Sequence, residues 1–403
     1  MKNAIWGSAS ILVLASASPA LAQSNSSTVT QLGTDSTIAV DQTGANNTSV
    51  VTQEAGSTNN DVEVDQSGTN ATSTITQSSI AGAGNRSRVN VTQAGDGAIS
   101  TVTQGGDNGL RALVTQTGAS TSVITQLDRN NRAEITQDGD GNASVISQQG
   151  RGGRVGNASS GGGSGLVQLG DDNSSTIVQG PGRRKTATVN QIGNVNISSI
   201  TQLGTGARSR VTIDQLADMN NSGVVQENGD NTIEVTQSSA GNTSTVGQAG
   251  ESDVADVLQS GGGTNAAAID QAAGGLSNFA DIDQLAANGD ATVLQAGDSN
   301  IGEITQNADG NTGFIDQGFA GGSVTNTAGI TQNGTDNLAA IEQGVTTPLS
   351  ADNTATVSQT GNSNTSFITQ NDSMNSATVA QATDGNFSQI SQTGIGNSIN
   401  VSQ

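Results

Sequence analysis

Thirty-two glutamines recur along this chain in one phase, and no feature restricts its fold more. They run from Gln31 through Gln42, Gln53 and Gln66 to Gln392 and Gln403, and 20 of the 31 intervals between them are 11 residues long. Two positions before each stands Val or Ile in 31 cases and Leu166 in the other. A second apolar or small residue often precedes by two more, as in Ile233-Glu234-Val235-Thr236-Gln237. Alternation of period two is the signature of a strand, with Val or Ile and Gln on one face and Thr, Ser or Asp on the other. β-Branched residues suit such a pleated surface.

Gly and Asn are frequent after the anchors, and both tolerate the positive φ of tight turns. Of the 20 eleven-residue units, 15 place Asn five residues after Gln, as at Gln137, Asn142 and Gln148. A strand of about five residues and a bend of similar length fill one unit, and two units make one coil. The expected architecture is therefore all-β: a β-solenoid, or β-arcade, of about 16 two-strand coils forming two facing parallel sheets.

Inward Gln and Asn need partners, because a buried unpaired amide costs about 1–3 kcal/mol. In a stack, each amide can donate to the identical amide one coil away, at the strand spacing of about 4.8 Å. The expected stacking ladder includes Gln42, Asn47, Gln137, Asn142, Gln148, Gln226, Asn231, Gln237, Asn242, Gln306, Asn311, Gln381, Asn386, Gln392, Asn397 and Gln403. A one-residue slip would expose the aliphatics and strand the amides, so the pattern also sets register.

Residues 1–22 read as a secretory signal: Lys2, the apolar run Ile11 to Ala15, and Ala20-Leu21-Ala22 before a cleavage point between Ala22 and Gln23. No later stretch reaches the roughly 20 apolar residues of a membrane helix, so membrane insertion is not expected. Two repeat blocks, 23–148 and 168–403, flank a Gly/Arg-rich loop or degenerate repeat at 149–167. The repeat begins by Val29 and runs to Val401-Ser402-Gln403 with no polar cap in view, so both end coils are expected to accept another copy, head to tail.

Chemistry is sparse. The chain has no Cys and no His, aromatic residues are 1%, and one Lys follows the signal, so neither a Ser-His-Asp nor a Cys-His arrangement can form. Asp281 and Asp283 share one strand face, with nothing nearby to build a pocket around them. No catalytic, cofactor or metal residues are expected. The formal charge is −22, and Val211 to Gln403 carries 21 acidic residues and no basic one, which disfavours nucleic acid as a partner. Arg86 to Arg210, by contrast, holds 12 basic and 8 acidic residues.

The doubled Gln-x4-Asn-x5-Gln unit behind a secretory signal resembles the curlin repeat of bacterial curli fibre subunits. The resemblance implies a secreted, cell-surface functional amyloid that supports biofilm matrix, adhesion and aggregation. It implies self-association into a homopolymer, with an outer-membrane secretion channel and a nucleator subunit as partners, and stacking driven by the inward Gln and Asn. A monomeric β-solenoid adhesin is one alternative. An ice-binding solenoid is another, given outward Thr pairs such as Thr74 and Thr76.

Overall fold

The computed structural model describes residues 24–78, 86–106, 109–155, 165–205, 208–318, 325–344 and 351–403. The signal stretch, the junction at Ala22 and Gln23, and residues 156–164 of the 149–167 interruption lie outside them. The described residues contain strands and turns and no helix. The chain divides into two compact units, Met1–Asn190 and Gln191–Gln403.

Each unit is a parallel two-sheet β-solenoid. In the first, Ser26–Gln31 pairs with Thr48–Gln53, which pairs with Thr72–Ser78, so a strand bonds to the next strand but one. The strands between, such as Thr37–Gln42 and Asp61–Gln66, build the facing sheet in the same way. In the second unit Thr232–Gln237 pairs with Val254–Gln259, and Asn221–Gln226 with Thr243–Gln248. The register places Gln on Gln throughout: Gln31 on Gln53, Gln237 on Gln259.

Burial follows the alternation. Along Thr232–Gln237, Ile233, Val235 and Gln237 are buried, while Thr232, Glu234 and Thr236 look outward. Three inward positions per strand therefore form the core: a small or aliphatic residue, then Val or Ile, then Gln. Burying each Val or Ile contributes about 1.5–3 kcal/mol. Small first positions also link coils, as where Ser73 Oγ donates to Ser49 Oγ at 3.1 Å.

The turns use two devices. One is a left-handed residue just before the next strand, filled by Asn46 (φ 57°) and Asn70 (φ 58°) but also by Val195 (φ 61°) and Met219 (φ 57°). The other is close approach between coils. Gly44, Gly68, Gly95 and Gly118 lie one above another, and a Cβ on any of them would strike the backbone of the next glycine in the column or, at Gly118, that of Gly139. These four keep ordinary φ, so it is contact, and not backbone handedness, that demands glycine there.

The longest repeat interval has a simple anatomy. Arg154–Val155 pairs with Arg132 and Ala133, and Leu166–Leu169 pairs with Ile135 through Asp138. Two short segments thus occupy the place of one strand beside Arg132–Asp138.

Candidate stacking site

Successive coils of a solenoid meet in its stack, and the side chains that link them here are amides. In the first unit Gln31 Nε2 donates to Gln53 Oε1 at 3.1 Å, and the series continues through Gln77, Gln104, Gln126 and Gln148 to Gln179 at 2.8–2.9 Å. A second column on the facing sheet runs from Gln42 through Gln66, Gln93, Gln116 and Gln137 to Gln168 at 2.7–2.9 Å.

The second unit carries two more columns. One passes from Gln191 through Gln215, Gln237, Gln259, Gln284, Gln306, Gln332, Gln359 and Gln381 to Gln403. The other passes from Gln202 through Gln226, Gln248, Gln271, Gln295, Gln317, Gln343 and Gln370 to Gln392. Every bond in all four columns has one sense: the earlier glutamine donates and the later one accepts. The spare Nε2 hydrogen reaches a backbone carbonyl across the coil, as from Gln237 to Asn221 at 3.2 Å. A fully bonded amide in a dry interior escapes the desolvation penalty of an unpaired one.

The asparagines take different partners. Oδ1 of Asn47 accepts the backbone N–H of Ala71 at 2.8 Å, that of Asn142 the N–H of Asn173 at 2.9 Å, and that of Asn231 the N–H of Asp253 at 3.0 Å. Asn242 serves Asn265 and Asn311 serves Asn337 likewise. Their Nδ2 groups bind turn carbonyls, from Asn47 to Gly68 at 2.8 Å and from Asn311 to Ala308 at 2.6 Å. Each asparagine therefore pins the strand entry of its own column one coil on. Amide-to-amide contact occurs at Asn397, whose Nδ2 donates to Asn375 Oδ1 at 3.0 Å.

Burial is not uniform along the columns. Gln137, Gln148, Gln226, Gln237, Gln306, Gln381 and Gln392 are buried, Gln42 and Asn386 are half-buried, and Asn397 and Gln403 in the last coil are exposed.

Two asparagine slots hold ionisable residues whose placement the repeat pattern did not reveal. Lys185 precedes Thr186–Ile192, is 2% exposed, and turns Nζ onto the carbonyls of Pro181 at 2.6 Å and Gly180 at 3.2 Å. Burial lowers its pKa to about 8. Asp253 accepts the Asn278 N–H at 2.9 Å, and burial raises its pKa to about 6 against the opposing hydrogen bonds.

Outside the stack, Asp281 and Asp283 lie on the outer face of Phe279–Gln284. Burial raises Asp281 to about 6, helped by the charges of Asp283, Asp256 and Glu303. Burial also raises Asp283. Among the described residues no group of three or more His, Cys, Asp or Glu could hold a metal ion.

Repeated strands in register, two facing parallel sheets and glutamine columns through the interior define a β-solenoid repeat protein with polar ladders. Comparison carries this one step further: the family model described as the curlin associated repeat matches residues 129–156 and 351–382, so these two segments of the chain are similar to curlin repeats. Comparison with curated proteins found no match. The repeat match and the solenoid together fit a subunit of the curli type.

Proposed function

We propose that the protein is a secreted structural subunit that assembles head to tail into extracellular, curli-like amyloid fibres, which support biofilm matrix, adhesion and cell aggregation. One observation carries this reading. Each coil gives its neighbour the same strand register and the same glutamine donors that it receives from the coil before. A coil of a second copy, arriving in the same sense, meets the surface that an internal coil meets. The amide columns then continue across the junction, and the Gln and Asn positions drive stacking. The curlin-repeat family supports self-assembly and an extracellular setting. An outer-membrane channel for export and a nucleator subunit are the partners this role calls for.

The test is release of the mature chain from denaturant at micromolar concentration. Thioflavin-binding fibres are expected, forming faster at pH 4 than at pH 8. A soluble monomer that persists at both values would falsify the reading and favour a monomeric adhesin.

A further inference from the structure

The outer faces of the two units carry opposite charge in the same periodic form. In the first, Arg88, Arg111, Arg132 and Arg154 occupy the first position of four successively paired strands. In the second, Glu234, Asp256, Asp281 and Glu303 occupy the third position of four successively paired strands. All eight project from the solvent face.

Parallel pairing spaces both columns at about 4.8 Å per coil. Four guanidiniums and four carboxylates therefore share one period, a match that an unrelated partner would have to reproduce and a second copy of this chain possesses already.

Among the described residues the arginine column is only half paired and the carboxylate column is unpaired. Arg88 reaches Asp61 at 3.5 Å and Arg132 reaches Glu134 at 3.6 Å, both near the surface, while Arg111 and Arg154 have no ion pair among the described residues. Arg151, Arg183 and Arg184 join Arg111, Arg132 and Arg154 around an open groove of about 840 Å³. The four carboxylates have no ion pair among the described residues. Burial raises the pKa of Asp256 and Asp281, and repulsion from neighbouring carboxylates, Glu234 and Asp283 for Asp256 and Asp283, Asp256 and Glu303 for Asp281, adds to it.

We propose that the arginine column of one copy docks sideways on the carboxylate column of another, so that copies associate laterally through commensurate charge ladders. Guanidinium–carboxylate pairs are strong and directional, and a row of them fixes axial offset as well as attraction. This contact is separate from end-on stacking and goes beyond the reading above.

The test uses three full-length mature proteins: wild type, R88Q/R111Q/R132Q/R154Q, and E234Q/D256N/D281N/E303Q. Their association is followed by sedimentation velocity at low and high ionic strength, and circular dichroism checks that each is folded. Wild type is expected to associate at low salt and disperse at high salt. Each variant alone should need about tenfold more protein to associate, the sum expected of a few exposed pairs.

A 1:1 mixture of the two variants should recover association, because one supplies the arginines and the other the carboxylates. The carboxylate variant separates this mechanism from net charge, since reduced overall repulsion would make it associate more readily and lost pairing makes it associate less. Wild-type behaviour from either variant, or a mixture as dispersed as its components, would overturn the proposal. A mixture that gathers only with added polyuronate would also overturn it and assign the basic face to an acidic polymer. Fibre formation is read separately by thioflavin binding, so a failure of end-on assembly and a failure of lateral docking are distinguishable.

Discussion

Gln137 donates through Nε2 to Oε1 of Gln168 at 2.7 Å across a separation of 31 residues, whereas the preceding bond, from Gln116 to Gln137, spans 21. The difference is the segment inserted between Val155 and Leu166, and the glutamine column passes it without a break. Register in this protein is thus a property of the coil and not of the count of residues around it.

Because the columns are continuous, removing one member damages two bonds. Gln237→Ala deprives Gln215 Nε2 of its acceptor and Gln259 Oε1 of its donor inside a dry core. A loss of about 2–4 kcal/mol is expected, in line with two buried polar groups left unpaired. The midpoint of urea denaturation measures it, with Thr236→Ala on the outer face as the comparison, expected within about 0.5 kcal/mol of wild type.

Asp253 stands where Asn serves in neighbouring coils, as at Asn231 and Asn278. Its folded pKa of about 6 exceeds the ordinary carboxyl value of 3.8, so its contribution to stability is fully present below about pH 4 and is lost as pH rises through 6. Asp253→Asn restores the neutral amide. It should stabilise the fold at pH 7 by about 1–2 kcal/mol, the scale of a relieved buried polar group, and leave stability at pH 4 nearly unchanged. Thermal melting at the two pH values checks this.

The same sign holds on the outer faces. Asp281 and Asp316 are both raised to about 6, chiefly by burial, with neighbouring carboxylates adding to the shift. The wild-type melting temperature should therefore fall between pH 4 and pH 7, and D281N/D316N should flatten that fall. A variant that keeps the full wild-type slope would remove these two groups as its source.

Val195 holds φ at 61° in an exposed turn, a conformation that a β-branched residue adopts only under strain. Val195→Gly should raise stability by about 1 kcal/mol, since glycine enters the left-handed region without the clash. The opposite change at a crowded turn, Gly95→Ala, drives a Cβ into the backbone of Gly118 and should lower stability by about 1–3 kcal/mol. Parallel denaturation curves for the two variants test both directions.

Much of this was legible in the sequence for a physical reason. A strand that repeats Val or Ile two residues before Gln can bury one face only by stacking on itself, so composition, strand class and register came from one pattern. The asparagine partners were harder to read, because Oδ1 meets a backbone N–H that only coil packing brings into place, as at Asn47 and Ala71. The residues that fill exceptional slots, Lys185 and Asp253, look like ordinary surface charges until their positions are counted from the anchor. The charge columns followed the same rule: Arg111 and Arg132 each stand five residues before a glutamine, and Glu234 and Asp256 each stand three before one. The strain at Val195 had no signal, since nothing in a valine announces a left-handed turn.

In the fibre proposed above, the donor-to-acceptor sense shared by every glutamine-to-glutamine bond would extend from one subunit to the next. Reversing one copy would set donors against donors at a junction, so a growing polymer cannot be built from a mixture of orientations. Such a polymer has a front and a back, and the two extend by unlike chemistry, one offering amide hydrogens and the other offering amide oxygens. A filament anchored by one extremity would then elongate from the other alone, and its age could be read along its length.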